Sequence, residues 1–271
     1  MYKMVVFDVD GTLLPFQDDE LAPEIKDLFR RLKANNLVVA LATGRDFVSI
    51  GDLHLDENLD YFIGANGSFV YDLKKQEYLF NSAIKFSDYE NYYKDVLLTH
   101  QNTVYNVILS DDQHVFVWDH KKMDGHWFWE PFKEKFRDFD KAKEQINHDK
   151  FHLITINCTN NSDIIEDSKT YFKKNHSTLS VQAWWPNGLF VANRHMSKAH
   201  AIELVCQHLD FSIEQVVAFG DSENDLSMLK TVGLGVAMGN GNERVKAIAD
   251  DITTNVEEFG TITYLEKLGL I

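Results

Sequence analysis

The stretch Met4-Val5-Val6-Phe7-Asp8-Val9-Asp10-Gly11-Thr12 decides the fold. Four apolar, mostly β-favouring residues stop at a carboxylate, which reads as a buried strand delivering Asp8 at its carboxyl end. Asp8 and Asp10 are two positions apart, so on a continuing strand both side chains point the same way. Gly11 permits a tight turn and close approach of a ligand to the backbone. Taken alone, an Asp-x-Asp-Gly-Thr run is equally a plain turn, because Asp and Gly favour turns. Its meaning depends on what the rest of the chain places beside it.

Working outward, Ile25, Leu28, Phe29 and Leu32 recur at helical spacing, and Pro23 suits a first turn, so a helix is expected over residues 23–35. Ala22 before it is a poor cap. A second apolar run over residues 37–42 closes on Thr43-Gly44-Arg45. A third, over 61–63, closes on Gly64-Ala65-Asn66-Gly67. The alternation resumes late in the chain. Residues 198–209 carry Ile202, Val205, Cys206 and Leu209 on one helical face, and a strand over 216–219 ends at Gly220-Asp221. A short strand over 235–237 and a short helix over 243–249 follow. Strands alternating with helices imply a parallel sheet with helical crossovers.

The middle differs in texture. Residues 84–187 are rich in aromatics, among them Tyr92, Tyr93, Phe116, Trp118, Trp127, Phe128, Trp129, Trp184 and Trp185. Strands are expected at Val115–Trp118 and 153–157, and helices at 88–98 and Ser162–Lys174. The predicted organisation is an α/β fold: a Rossmann-like parallel core from residues 1–83 and 188–271, helices on both faces, and an inserted α+β cap over 84–187.

The chain has 271 residues, 44% hydrophobic and 25% charged, an ordinary globular composition with length enough for two domains. A formal net charge of −15 argues against nucleic-acid and anionic-membrane partners, which need basic surfaces. It leaves room for an anionic substrate, because a bound metal ion can reverse the local sign. Cys158 and Cys206 form no CxxC pattern, so neither a disulfide framework nor a structural zinc site is expected. No segment has the length of a membrane span, and residues 1–11 lack the apolar run of a signal peptide. The cytoplasm is the expected compartment.

In open parallel sheets, ligands bind beyond the carboxyl ends of the strands. Compact polar sets fall at such ends or at helix starts: Asp8-Val9-Asp10-Gly11-Thr12, Thr43-Gly44-Arg45, Ser197-Lys198, and Gly220-Asp221-Ser222-Glu223-Asn224-Asp225. Strands that end in carboxylates in separate halves of the chain call for a cation between them, and hard oxygen ligands suit Mg²⁺. Of two carboxylates near one reacting centre, one can attack while the other shuttles a proton.

These motifs, in this order and with these wide spacings, resemble the haloacid dehalogenase superfamily of phosphotransferases. Ala65-Asn66-Gly67-Ser68 and Val236-Ala237-Met238-Gly239-Asn240-Gly241 resemble its Cof-type branch, whose α+β cap (subclass IIB) is inserted between the Thr43 and Lys198 motifs. The resemblance implies that Asp8 attacks phosphorus to give an aspartyl-phosphate and that Asp10 acts as general acid and base. It implies that Asp8, the carbonyl of Asp10 and Asp221 hold Mg²⁺. Thr43, the amide of Gly44, Lys198 and Asn224 would cradle the phosphoryl oxygens, with Asp225 orienting Lys198 or a metal-bound water. Arg45 is a candidate substrate contact, or else a surface ion-pair residue. The implied substrate is a small phosphorylated metabolite, sugar phosphates first. The implied cap would close over the site and exclude water.

Two other readings stand beside hydrolysis. A phosphomutase or phosphotransferase would use the same Asp8 with an acceptor hydroxyl in place of water. A non-catalytic binding protein would show a gap in the set Asp8, Asp10, Lys198 and Asp221, and this sequence has none. One departure from the family pattern, Glu257-Glu258-Phe259-Gly260-Thr261, is peripheral to the chemistry. His114, His120 and His126 recur at an interval of six, which is no metal-ligand spacing on a helix or strand. The aromatic cluster around Phe116 and Phe132 is expected to be mostly the cap's core, with Trp127 and Trp129 as candidates to line a pocket.

Overall fold

The structure, a computed structural model, describes residues 1–15, 18, 20–118 and 133–271. Its contacts divide the chain into two units. The first comprises Met1–Gly44, Gly51–Phe80 and Ser197–Ile271, the second Arg45–Ile50 and Asn81–Met196. Among the described residues no helix is long and apolar enough to cross a membrane.

The first unit is built on an eight-stranded sheet among the described residues. In spatial order its strands are Asp251–Ile252, Leu234–Ala237, Val216–Gly220, Met4–Phe7, Val38–Ala42, Tyr61–Gly64, Phe69–Asp72 and Glu77–Asn81. The first six run parallel, and Phe69–Asp72 returns antiparallel to Tyr61–Gly64. Met4–Phe7 is central. The chain builds outward from it on one side through residue 64, then returns to its other side with Val216–Gly220. That reversal creates a switch point beside Met4–Phe7, the place beyond the carboxyl ends where open parallel sheets bind their ligands. Register sets what lies there: Phe7 pairs with Leu41 on one side and Phe219 on the other, so Asp8, Thr43 and Asp221 all follow within two residues of one level.

The pleat distributes the central strand between two helical layers. Phe7 stacks on Phe219 with centroids 5.4 Å apart and meets Phe29 of the helix Pro23–Ala34 at 5.8 Å. Phe219 meets Tyr264 of the C-terminal helix Gly260–Lys267 on the same face. Met4 and Val6 point the other way, into a cluster with Ala201, Ile202 and Val205 of the helix Lys198–His208 and Met228 and Leu229 of Leu226–Thr231. Burying residues of this kind contributes roughly 1.5–3 kcal/mol each, which anchors the strand that ends in Asp8. The helix over Pro23–Ala34 buries Ile25, Leu28, Phe29 and Leu32 as its spacing predicts, and Ala22 gives it no side-chain cap.

The second unit is a six-stranded sheet among the described residues, in the order Leu179–Trp185, Gly188–Asn193, Leu153–Cys158, Val104–Ser110, Val115–Trp118 and Phe136–Asp138. It is antiparallel except for the last pair. Its two longer helices among the described residues, Phe86–Asp95 and Ser162–Lys174, are joined through Tyr92 Oη and Ser168 Oγ at 2.7 Å and through Tyr92 against Phe172 at 4.8 Å. The helix expected over 88–98 breaks at Val96 (φ −121°, ψ −63°) and continues as a 3-10 turn, Leu97–His100. Residue 187, the sequence-based edge of the cap, lies in the turn between Leu179–Trp185 and Gly188–Asn193. The latter strand pairs with both Leu179–Trp185 and Leu153–Cys158, so the second unit's contacts run on to Met196. Phe116 is buried, and Trp118 stacks between Tyr93 at 4.5 Å and Phe139 at 4.0 Å, so these aromatics serve the core. His120, His126, Trp127, Phe128, Trp129 and Phe132 lie outside the described residues.

Candidate active site

Lys198 organises the site. Ser197 caps its helix, Oγ accepting from the His200 amide at 3.2 Å, and Lys198 occupies the first turn with no exposed surface. Its Nζ donates to Asp8 Oδ1 and to Asp225 Oδ1, each at 2.6 Å. The other Asp225 oxygen, Oδ2, accepts from the amides of Asp221 and Ser222 at 3.0 Å each. Asp225 is thereby engaged at both oxygens and aims the ammonium at Asp8. Gly220 makes the arrangement possible: a Cβ there would lie 2.6 Å from Cβ and Cγ of Asp225.

Asp8, Asp221 and Asp225 each offer an oxygen within 4.8 Å of the others. Three buried carboxylates gather around the Lys198 ammonium. Burial pushes the Asp8 carboxyl well above the usual carboxylate range, the charges of Asp225, Asp221 and Asp10 add to this, and Lys198 opposes it. Burial, then the Asp225 charge, pushes Asp221 up to about 7. Burial alone would lower Lys198, but the attraction of Asp225 and Asp8 outweighs it and holds the ammonium above its ordinary value.

A divalent cation fits this set. Asp221 Oδ1 is buried and has no hydrogen-bond partner among the described residues. An orphaned carboxylate oxygen is costly in a low-dielectric interior, and a hard cation is the partner that relieves both it and the excess negative charge. The cluster contains Asp225 where the family resemblance implies the carbonyl of Asp10. Since Asp225 is already engaged at both oxygens, Asp8 and Asp221 are the side chains best placed to hold the ion.

A second group assembles beside it in the same unit. Asn224 Nδ2 donates to Asn66 Oδ1 at 2.9 Å, and Ser222 Oγ donates to Asn224 Oδ1 at 2.7 Å. A Cβ on Gly44 would lie 3.4 Å from Asn66 Oδ1 and 3.7 Å from Asn224 Nδ2. Thr43, fully buried, receives the Asn66 amide on its carbonyl at 2.9 Å and donates its own amide to Ile63 at 3.0 Å. Asp10 leads into the turn, where the Gly11 amide donates to Leu14 O at 2.8 Å and Asn240 Nδ2 donates to Gly11 O at 2.8 Å. Arg45 belongs to the second unit, and its Nη1 donates to Ser49 O at 3.1 Å.

Sequence reading gave no task to Asn66 and Gly67 beyond family likeness. Gly67 adopts φ +91°, and a Cβ there would lie 2.2 Å from Ser197 O, against the backbone that launches Lys198. Gly67→Ala is therefore expected to displace that helix start and to lower both thermal stability and phosphatase activity markedly. Differential scanning calorimetry and an activity assay check this; a variant with unchanged melting temperature would contradict the close contact.

A family profile described as haloacid dehalogenase-like hydrolase matches residues 5–265, and the chain belongs to that family. It is a phosphoric monoester hydrolase of the Cof-type branch, with the subclass IIB fold that its motifs led us to expect. Among curated relatives it is similar to 5-amino-6-(5-phospho-D-ribitylamino)uracil phosphatase YcsE of Bacillus subtilis, 29% identical over 261 residues, covering 94% of this chain and 92% of the relative. Among solved structures it is similar to the haloalkanoate-superfamily phosphatase BT1666 from Bacteroides thetaiotaomicron. There the TM-score is 0.80 at 24% identity, over 100% of this chain and 96% of the other. A subclass IIB sugar phosphatase, BT4131, shares the fold with a TM-score of 0.76 at 22% identity, over 99% of this chain and 100% of the other.

Proposed function

We propose that the protein is a Mg²⁺-dependent cytoplasmic phosphatase that hydrolyses small phosphorylated metabolites, sugar phosphates foremost, through an aspartyl-phosphate on Asp8. The observation that carries this reading is the buried Asp8–Lys198–Asp225 array at the switch point, with the unpartnered Asp221 oxygen beside it. The choice of sugar phosphates is supported by the phosphoribityl substrate named for the YcsE relative. The choice among metabolites is assigned to the inserted second unit.

In this mechanism Asp8 attacks phosphorus while the ester P–O bond breaks, and Asp10 gives its proton to the leaving oxygen. Asp10 then takes a proton from water as the water attacks the acyl phosphate, which frees inorganic phosphate and restores Asp8. Thr43, the Gly44 amide, Lys198 and Asn224 hold the phosphoryl oxygens, and Arg45 is included as a candidate substrate contact. Mg²⁺, held by Asp8, Asp221 and the carbonyl of Asp10, would supply the positive charge that lets a dianion approach these carboxylates. Phosphoryl transfer depends mainly on such positioning and charge stabilisation.

The reading is tested by phosphate release from a panel of phosphorylated metabolites. Activity is expected with Mg²⁺, to be lost on adding EDTA and to return with excess Mg²⁺; full activity in EDTA would contradict it. A linked stability prediction follows from Asp221. A carboxyl raised from 3.8 to about 7 keeps its proton in the folded protein over the range in which the unfolded chain has lost it. Metal-free protein is thus expected to lose stability as pH rises from about 4 to 7, a slope that Asp221→Asn should reduce. Mg²⁺ should raise the melting temperature more at pH 8 than at pH 5, since protons compete with it. A Mg²⁺ shift independent of pH would contradict the assignment.

A further inference from the structure

We infer that Asn66 is a phosphoryl-binding residue of this site: Nδ2 donates to a phosphoryl oxygen while Oδ1 fixes the Asn224 amide. The inference rests on the reading of this cluster as a phosphoryl site and adds to it a donor that the family motifs leave without a role.

The backbone is the first observation. Ala65 and Asn66 are successive non-glycine residues in the left-handed region, at φ 48° and 56°. Such conformations persist where surrounding contacts dictate them, and they gather at functional sites. Here those contacts lead to the Thr43-Gly44 strand end, the Ser197-Lys198 helix start and Asn224. The Asn66 amide binds Thr43 O at 2.9 Å, its side chain abuts Gly44 and Asn224, and Gly67 packs on Ser197 and Lys198.

The side chain is the second. Asn66 is 4% exposed. Its orientation is set by a relay in which Ser222 Oγ donates to Asn224 Oδ1 and Asn224 Nδ2 donates to Asn66 Oδ1. Turning the Asn66 amide over with Asn224 in place would oppose two NH₂ groups. Nδ2 is then the free end, 3.6 Å from where a Gly44 Cβ would sit, buried and without a hydrogen-bond partner among the described residues. A buried amide donor left unmade is unfavourable, and native structures seldom keep one without a reason. A dianionic phosphoryl group held by the Gly44 amide and Asn224 brings the missing acceptor.

Two variants separate binding from folding. Asn66→Gly removes the side chain while easing the left-handed backbone. Asn66→Asp keeps an acceptor for Asn224 Nδ2 and removes the donor. Inorganic phosphate is titrated into wild type and both variants by isothermal calorimetry in Mg²⁺ buffer, alongside KM for a phosphate ester. Both variants are expected to unfold cooperatively. Both should bind phosphate about tenfold to a hundredfold more weakly, with KM rising in step, as expected for loss of a hydrogen bond to a charged group. Wild-type phosphate affinity in either variant would overturn the inference, as would a fall in kcat alone. The Asp8→Asn control keeps the two ideas apart. If that variant turns over normally, the nucleophile reading fails, whereas an inert Asp8→Asn beside Asn66 variants of unchanged phosphate affinity sinks the Asn66 assignment alone.

Discussion

Asp8→Asn is expected to abolish phosphate release, by about 10⁴-fold or more in kcat, as removal of a covalent nucleophile does. The same substitution should leave the fold as stable as wild type in the absence of metal, or more so. Asp8 is one of three buried carboxylates gathered around the Lys198 ammonium, and an amide oxygen in its place still accepts from Nζ while removing one surplus charge. Burial already drives the Asp8 carboxyl toward its neutral form. An inactive and undiminished protein is the signature of a residue held against its own electrostatic preference for the sake of chemistry. Residual activity near wild type would remove Asp8 as nucleophile. A large loss of stability would show that Asp8 is chiefly a structural partner of Lys198.

Lys198→Met is expected to have the second largest effect, and an opposite stability signature. Methionine fills much the same space but leaves Asp8 and Asp225 without the ammonium that lies 2.6 Å from each. Breaking a fully buried ion pair from one side costs roughly 3–5 kcal/mol, because the abandoned charges stay buried. Burial already favours the neutral Asp8 carboxyl, which escapes by taking up a proton, so the loss should be small at pH 5 and grow toward pH 8. Urea unfolding at the two pH values reads this directly. Activity should fall about 10²–10³-fold, the scale of losing one preorganised charge-stabilising donor. Equal stability at both pH values would contradict the buried array. Lys198→Arg should not restore function, since a planar guanidinium does not fit a site shaped around a fully enclosed ammonium.

What could be read from the sequence was what burial on both faces writes into it. Met4–Phe7, Val38–Ala42, Tyr61–Gly64 and Val216–Gly220 are short apolar runs ending in polar residues, and the parallel sheet follows from them. The amphipathic spacing of Pro23–Ala34 and Ser162–Lys174 was equally plain. The hairpin Phe69–Asp72 to Glu77–Asn81 was not, because its turn carries no glycine. Gln76 takes φ 57° there, and Asp72 Oδ1 secures the turn by accepting from the amides of Lys74 and Lys75. The hairpin of Leu179–Trp185 and Gly188–Asn193 did carry a signal, Trp185-Pro186-Asn187-Gly188, though aromatic content dominated the reading of that region. The break at Val96 depends on the switch to 3-10 turns, which apolar periodicity does not encode.

For the site, motif order led to Asp8, Asp221, Asp225 and Lys198, and the structure brings their side chains together. The share of each oxygen was not legible. That Asp225 is engaged at both oxygens, while Asp221 keeps one unpartnered among the described residues, is a matter of contacts between residues far apart in sequence. Asn66 stayed hidden for a related reason. Ala-Asn-Gly reads as an ordinary turn until Thr43, Gly44, Ser197 and Asn224 are seen around it.

The most direct test is to trap the intermediate. Protein turning over a phosphate ester in Mg²⁺ is quenched in acid, the acyl phosphate is reduced with borohydride, and the peptide spanning residue 8 is examined by mass spectrometry. Conversion of Asp8 to homoserine, absent without substrate, is the result expected of a covalent aspartyl-phosphate. Phosphate release at full rate with Asp8 never labelled, or with the label on another carboxylate, would contradict it.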